Sequence, residues 1–204
     1  MLRDGIVASK EKRQQYYGII TAETERLTRL VNNVLELSRL ERKDRPLNMT
    51  VGDVAPLIEE VVGILGPHAE QEGFLIQVNL DSNLPSVRYD RDALLQVLFN
   101  LVDNAIKYSR GAPQKEITIS CRREKDGLLL SVADRGPGVP PRHMKAIFQP
   151  FYRAENELTR SSKGTGIGLA LVRGLVDRMG GSIHCENAET GGFVASISLR
   201  SASA

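Results

Sequence analysis

Apolar residues recur with a helical period in the first fifth of this chain and then switch repeatedly between two periods. Between residues 10 and 44, Ile20, Leu27, Leu30, Val34 and Leu37 keep heptad-like spacing, and Val31 and Leu35 widen the stripe. A stripe of that width suits a bundle helix, which needs partner helices because one helix cannot bury such a face alone. Residues 1–7 read as the end of a preceding helix with Gly5 as its stop, and 42–46 as a polar linker closed by Pro46.

Beyond residue 46 the pattern predicts a short strand over 48–51 and a helix capped by Asp53 that runs to about Gln71. Gly73 ends that helix, and residues 74–80 alternate as a strand. Asp90 opens a helix whose face carries Leu94, Leu95, Leu98, Leu101 and Ile106, ending near Gly111. Strands over 115–123 and 127–134 follow, joined by the hairpin signal Asp126-Gly127. A helix near 141–148, an irregular polar stretch over 152–163 and a helix from Gly166 to Met179 come next. Gly180-Gly181 breaks that helix before strands at 182–187 and 192–199. Hairpins inside such an order predict an α+β two-layer sandwich: a mixed, mostly antiparallel sheet with helices on one face, preceded by a long bundle helix. Two domains are expected, over 1–45 and 46–204.

Composition narrows the function classes. Hydrophobic residues make up 41% and charged residues 25% of the 204, the balance of a folded globular chain. A net charge of +2 gives no electrostatic footprint for a nucleic-acid partner. No run approaches the roughly 20 apolar residues of a membrane span, and the start lacks a secretion signal. A cytoplasmic location without membrane contact is therefore expected. Cys121 and Cys185 fall in strand-like runs and read as buried thiols, too few for a metal site of their own.

Four clusters carry candidate chemistry. On one helix, Asn100 and Asn104 project on the same face, with Lys107 and Tyr108 a turn further on. An amide oxygen is a hard ligand for Mg²⁺ and an ammonium suits a phosphate, although a solvated helix face explains the same pattern. Asp134-Arg-Gly136-Pro-Gly138 follows an apolar strand, where a carboxylate can accept from an exocyclic amine and glycines let the backbone approach a ligand; a tight turn is the plainer reading. Gly164-Thr165-Gly166-Ile167-Gly168-Leu169 opens a helix, a place suited to anions. It follows no strand, which disfavours a dinucleotide-binding βαβ unit, and the P-loop pattern is absent. Finally, Phe148 and Phe151-Tyr152-Arg153 precede the polar stretch, as a hinge precedes a lid.

Together these clusters resemble the ATP-binding domain of sensor histidine kinases, the Bergerat-type nucleotide fold shared with some chaperone and mismatch-repair ATPases. Asn100–Tyr108 is similar to the N box, Asp134–Gly138 and Gly164–Gly168 to the glycine boxes, Phe148–Phe151 to the F box, and Thr190-Gly191-Gly192-Phe193 to a final glycine motif that lacks its usual Gly-Thr. The resemblance implies that Asn104 binds Mg²⁺ with Asn100 beside it, that Lys107 reaches a phosphate and that Tyr108 borders the nucleotide. It implies that Asp134 accepts from the adenine amino group, with Gly136 and Gly138 allowing close approach. Gly164, Thr165, Gly166, Ile167, Gly168 and Leu169 would surround the phosphates, residues 152–163 would close as a lid, and Arg153 would add positive charge. The first helix looks like the second helix of the family's dimerisation and phosphotransfer hairpin.

The implied activity is protein-histidine kinase, with Asn100, Asn104 and Lys107 at the catalytic centre and ATP and Mg²⁺ as cofactors. The implied partners are a phosphoacceptor-His helix, a response-regulator receiver domain and a second copy of the parent, with which a membrane-anchored parent is compatible. Related water-activating ATPases carry a glutamate where Asn100 stands, and an amide takes no proton at neutral pH, which favours transfer to histidine over hydrolysis. His68, His143 and His184 are expected to be surface or packing residues rather than the acceptor, so that this stretch should bind ATP without phosphorylating itself. A slow ATPase switch and a non-catalytic nucleotide-binding scaffold are the alternatives.

Overall fold

In the computed structural model the described residues are 9–42, 46–154 and 165–202. Ser9 caps the first helix, α1 (Lys10–Glu41), by accepting from the Lys12 amide at 3.4 Å. The next helix, α2 (Ala55–Gln71), starts where Asp53 Oδ1 accepts from the Ala55 amide at 2.9 Å, with proline in its first turn. Gly73, at φ +80°, closes it, and the Phe74 amide returns to the Ala69 carbonyl at 2.8 Å. Before α2 lies β1 (Met49–Gly52), and after it β2 (Leu75–Leu80) and β3 (Val87–Asp90). Asp90 does two jobs at the head of α3 (Arg91–Tyr108). Oδ1 caps the Ala93 amide at 2.8 Å, while Oδ2 takes the Asn48 amide at 2.6 Å and ties the start of β1 to the helix.

The remaining elements are β4 (Glu116–Glu124), β5 (Gly127–Asp134), α4 (Gly168–Arg178), β6 (Ser182–Asn187) and β7 (Phe193–Arg200). Five strands form one sheet in the order β2-β4-β5-β7-β6, parallel between β2 and β4 and antiparallel elsewhere; β1 and β3 pair separately. The sheet is therefore mixed and mostly antiparallel, as the sequence pattern implied. Strand alternation turns Ile117, Ile119 and Cys121 of β4 and Ala195, Ile197 and Leu199 of β7 into the core. There they meet α3 and α4, whose Leu94, Leu98, Leu171 and Leu175 are fully buried. Each such side chain contributes about 1.5–3 kcal/mol of transfer free energy. Both thiols are buried, which pushes each up to about 12 and keeps it unreactive.

Three local expectations change. A four-residue strand, β3, ends at Asp90; its Val87 and Tyr89 are buried, but four residues are too short a run to signal a strand by period. Residues 141–148 form two short 3-10 turns, Pro141–His143 and Ala146–Phe148, in place of one helix. Only Ile147 is buried in them, too little to offset the cost of nucleating an α-helix. The hairpin turns on Lys125 and Asp126, one residue before the expected pair, because Glu124 and Gly127 face each other in register. Gly127 serves packing: a Cβ there would stand 1.9 Å from the Leu199 carbonyl oxygen. The proposed linker lies partly, and residues 1–7 wholly, outside the described residues.

Candidate functional site

Between α3, the end of β5 and the start of α4 lies a cavity of about 870 Å³. One end is built by strand alternation. Leu128, Leu130 and Val132 of β5 turn into the core, and two residues on, the same period turns Asp134 inward too. Asp134 is only 7% exposed, and its Oδ1 accepts from the Gly136 amide at 2.7 Å and the Phe193 amide at 3.3 Å; neither bond uses Oδ2. Burial pushes this carboxyl above the usual carboxylate range, while the Gly136 N–H, the Ser109 hydroxyl and the Phe193 N–H each pull it partly back. Ser109 Oγ is fully buried beside it and meets no partner at full hydrogen-bond geometry among the described residues. A buried carboxylate beside a buried hydroxyl suits a ligand that brings its own donor and acceptor.

Backbone contact fixes this end. Gly192 has φ +108°, and a Cβ on it would fall 1.9 Å from the Asp134 carbonyl oxygen. That close approach lets the following Phe193 amide reach the carboxylate. Gly138, at φ +70°, packs against Asn187, whose side-chain amide accepts from the Val139 N–H and donates to its carbonyl, both at 2.8 Å.

The other end is a helix face meeting a helix start. Asn100 and Asn104, one turn apart on α3, both line the cavity, and the Asn100 Nδ2 donates to the Gln96 carbonyl at 2.8 Å, which aims its amide. Across from them is Gly168; a Cβ there would lie 3.2 Å from Asn100 Oδ1 and 3.5 Å from Asn104 Nδ2. Gly168 opens α4, which has neither a side-chain cap nor an acid in its first turn, so its leading N–H groups are left for an anion. Lys107 and Tyr108 form one side wall, with Lys107 Nζ donating to the Tyr108 hydroxyl at 3.1 Å. Phe151 takes the left-handed backbone region at φ +64°, with its own ring exposed, and Tyr152 and Arg153 line the cavity. Gly166, at φ +71°, presses on that bend: a Cβ would meet the Tyr152 carbonyl oxygen at 2.8 Å. Ile19, Glu23 and Asn33 of α1 and His68 of α2 reach the outer rim.

Of the residues singled out in the sequence, Asn100, Asn104, Lys107, Tyr108, Asp134, Gly138, Arg153, Thr165, Gly166, Gly168 and Leu169 line this one cavity. Gly136 stands behind Asp134. The Ile167 side chain is fully buried, and its amide donates to Thr165 Oγ1 at 3.4 Å. Gly164 and most of the expected lid, 155–163, lie outside the described residues. Sequence reasoning missed Ser109 and Asn187, which belong to no periodic or glycine pattern. It also took His143 for a surface or packing residue and did not foresee its hydrogen bond to Tyr152.

Comparison with known proteins gives the family and the fold. Residues 89–203 match the family model described as histidine kinase-, DNA gyrase B-, and HSP90-like ATPase. The sensor protein SrrB of Staphylococcus aureus (strain NCTC 8325 / PS 47) is 33% identical over 187 residues, covering 90% of this chain and 31% of the relative. The chain thus spans about a third of the length of the curated relatives it matches. Among solved structures, full-length ShkA in complex with AMPPNP superposes with a TM-score of 0.78 at 27% identity, over 94% of this chain and 40% of that one. The Acinetobacter baumannii histidine kinase AdeS gives 0.78 at 25% identity, over 98% of this chain and 90% of that one.

Proposed function

The chain belongs to the histidine kinase-, DNA gyrase B-, and HSP90-like ATPase family, and we propose that it works as the ATP-binding catalytic unit of a sensor histidine kinase. In this reading it holds ATP with Mg²⁺ and presents the γ-phosphate to a histidine on a partner helix, for relay to an aspartate of a response regulator. One observation carries it: a single cavity has a buried carboxylate at one end and paired amides facing a helix N-terminus at the other. Adenine offers an exocyclic amine, for which Asp134 is the acceptor. Gly136, Gly138 and Gly192 leave the backbone close enough for the base to enter. The N–H groups from Thr165 to Leu169, together with Lys107 and Arg153, meet the phosphates.

The residues present fit a metal that arrives with the nucleotide. Among the described residues no three His, Cys, Asp or Glu side chains cluster into a cage. Asn104 offers a neutral amide oxygen, the kind of single ligand that suits Mg²⁺ already held by phosphates and water. When bound, that ion neutralises phosphate charge. Asn100, an amide held by the Gln96 carbonyl, has no capacity to take a proton from water, which supports transfer over hydrolysis. A neutral imidazole needs only to be brought in line with the phosphate.

Residues 1–45 and 46–204 are assigned to two units, the first supplying one helix of a dimerisation and phosphotransfer hairpin. The exposed stripe of Tyr16, Ile20, Leu27, Val31 and Leu35 on α1 supports a helical partner, such as a second copy of the parent. Of the three histidines, His143 is engaged with Tyr152, His184 stands exposed on an edge strand, and His68 sits at the cavity rim. No helix among the described residues is long and apolar enough to cross a membrane; we place the unit on the cytoplasmic side.

The test is label transfer from γ-phosphate-labelled ATP with Mg²⁺ to a histidine-bearing helical hairpin supplied in trans. Acid-labile phosphoprotein is the expected product. Free phosphate without phosphoprotein would move the assignment to a slow ATPase, and no ATP binding would sink both.

A further inference from the structure

Three side chains beside the cavity form a directed chain of hydrogen bonds that the four sequence clusters do not explain. Arg142 Nε donates to His143 Nε2 at 3.0 Å. A guanidinium only donates, so Nε2 must be the bare nitrogen of the imidazole, and the ring proton then sits on Nδ1. Nδ1 meets the Tyr152 hydroxyl, with the rings tilted at 45° and their centroids 5.9 Å apart. Since Nδ1 carries the proton, Tyr152 Oη receives this bond through a lone pair. Its own phenolic proton is left to donate elsewhere, and Tyr152 lines the cavity. The direction is fixed from the charged end: Arg142 to His143, His143 to Tyr152, Tyr152 to whatever occupies the cavity.

The position of Tyr152 selects the acceptor. Its carbonyl packs on Gly166, Arg153 and Thr165 line the same stretch of wall, and Gly168 with Asn100 and Asn104 lies next along the chain of contacts. The buried Asp134 belongs to a separate cluster with Ser109, Gly136 and Phe193. We propose that His143 is a positioning residue that holds the Tyr152 hydroxyl as a hydrogen-bond donor to an anionic phosphate oxygen of the bound nucleotide. The inference rests on the nucleotide-binding reading above. A donor polarised by a guanidinium through an imidazole is stronger than an isolated phenol, and an anionic acceptor gains most from it.

The experiment is calorimetric titration of the whole chain and three variants, His143→Ala, Tyr152→Phe and the double variant, with ADP·Mg²⁺ and with adenosine. Each single variant is expected to bind ADP about tenfold more weakly and adenosine as the parent does. The double variant should be no weaker than Tyr152→Phe alone, because His143 has nothing to act through once the hydroxyl is gone. His143→Asn keeps a side-chain N–H and should recover ADP binding to within about twofold of the parent. Additive losses, an equal loss of adenosine binding, or an Asn variant as weak as the Ala one would each overturn the proposal by making His143 a packing residue. ADP binding unchanged in His143→Ala, while the parent binds ADP, overturns this inference alone. A parent that binds neither ligand overturns the nucleotide reading and the inference with it.

Discussion

The two ends of the cavity are built by opposite means. At the Asp134 end a strand period drives a carboxylate into the core, where it is 7% exposed, and backbone presses on backbone so closely that a single methyl group would overlap. At the Asn104 end the polar groups stand on a helix face, Tyr108 is 37% exposed, and the anion site is a set of uncapped N–H groups. The first end is finished before any ligand arrives and stores a cost, a desolvated carboxylate. The second is assembled from side chains that can be trimmed without touching the fold, and it needs the charge of a ligand to complete it. The construction of the buried end is therefore tied to stability, and that of the open end is not.

The hardest way to break that contrast is Gly192→Ala. The new Cβ would meet the Asp134 carbonyl oxygen at 1.9 Å from a backbone at φ +108°. We expect a loss of about 3 kcal/mol in stability, read by thermal or urea unfolding, together with no detectable ADP binding. A variant that melts with the parent would show that the turn is not pressed on Asp134.

Asp134→Asn separates the two properties that Gly192→Ala damages together. The amide keeps an oxygen for the Gly136 and Phe193 N–H groups but removes the buried charge. Unliganded stability should stay level or rise, while ADP affinity falls by roughly 10- to 100-fold as a charge-assisted bond is lost. Unfolding curves and calorimetry on one preparation check both halves. Equal affinity in the variant would remove Asp134 from base recognition.

What the sequence made legible divides along the same line. The Asn104 end could be read almost directly, because i, i+4 spacing on a strongly periodic helix places Asn100 and Asn104 on one face without knowledge of the rest of the fold. The sheet and most element types were legible for a similar reason: Leu128, Leu130 and Val132 alternate, and Leu94, Leu98 and Leu101 keep helical spacing. Asp134 could be seen as a residue but not as a buried one, although it continues the alternation of β5 by one more step. Ser109, Asn187 and the His143–Tyr152 pair were not legible. Each matters through a contact that crosses between elements, from 9 residues away for His143 to 48 for Asn187, and no local period encodes such a contact. The turn at 190–193 was recognised only as a glycine motif. Its function, bringing the Phe193 amide to a carboxylate 59 residues away, depends on strand register.

A gentler probe of the buried end is pH. Burial raises the folded carboxyl of Asp134 above its unfolded value, so the unfolded chain releases this proton first. The stabilising contribution of the protonated group is present in full below the unfolded value and is lost as pH rises through the folded one. Nucleotide affinity runs the other way, since an ionised carboxylate is the better acceptor for an amine. Between the ordinary carboxylate range and the raised value, ADP affinity should climb several-fold while unliganded stability declines. Both slopes should flatten in Asp134→Asn, and titrations in buffers of different ionisation enthalpy should register proton release on binding. Parallel slopes for affinity and stability would contradict the sign.

The smallest effect is expected at the open end, and it is the sharpest test of the contrast. Asn104 is one of two amides on its face, its partner Asn100 is held by the Gln96 carbonyl, and Gly168 stands between them across the cavity. Removing the Asn104 amide deletes one neutral ligand from a metal that phosphates and water would hold for the most part. Asn104→Ala should weaken ADP binding about fivefold when Mg²⁺ is present, the scale of one net hydrogen bond or less, and should leave metal-free ADP binding and the unfolding midpoint unchanged. Comparing titrations with and without Mg²⁺ reads this directly. A loss of the same size without the metal would make Asn104 a phosphate or packing residue. A drop in the unfolding midpoint would show that the open end is built into the core after all, and that the two ends differ in chemistry but not in construction.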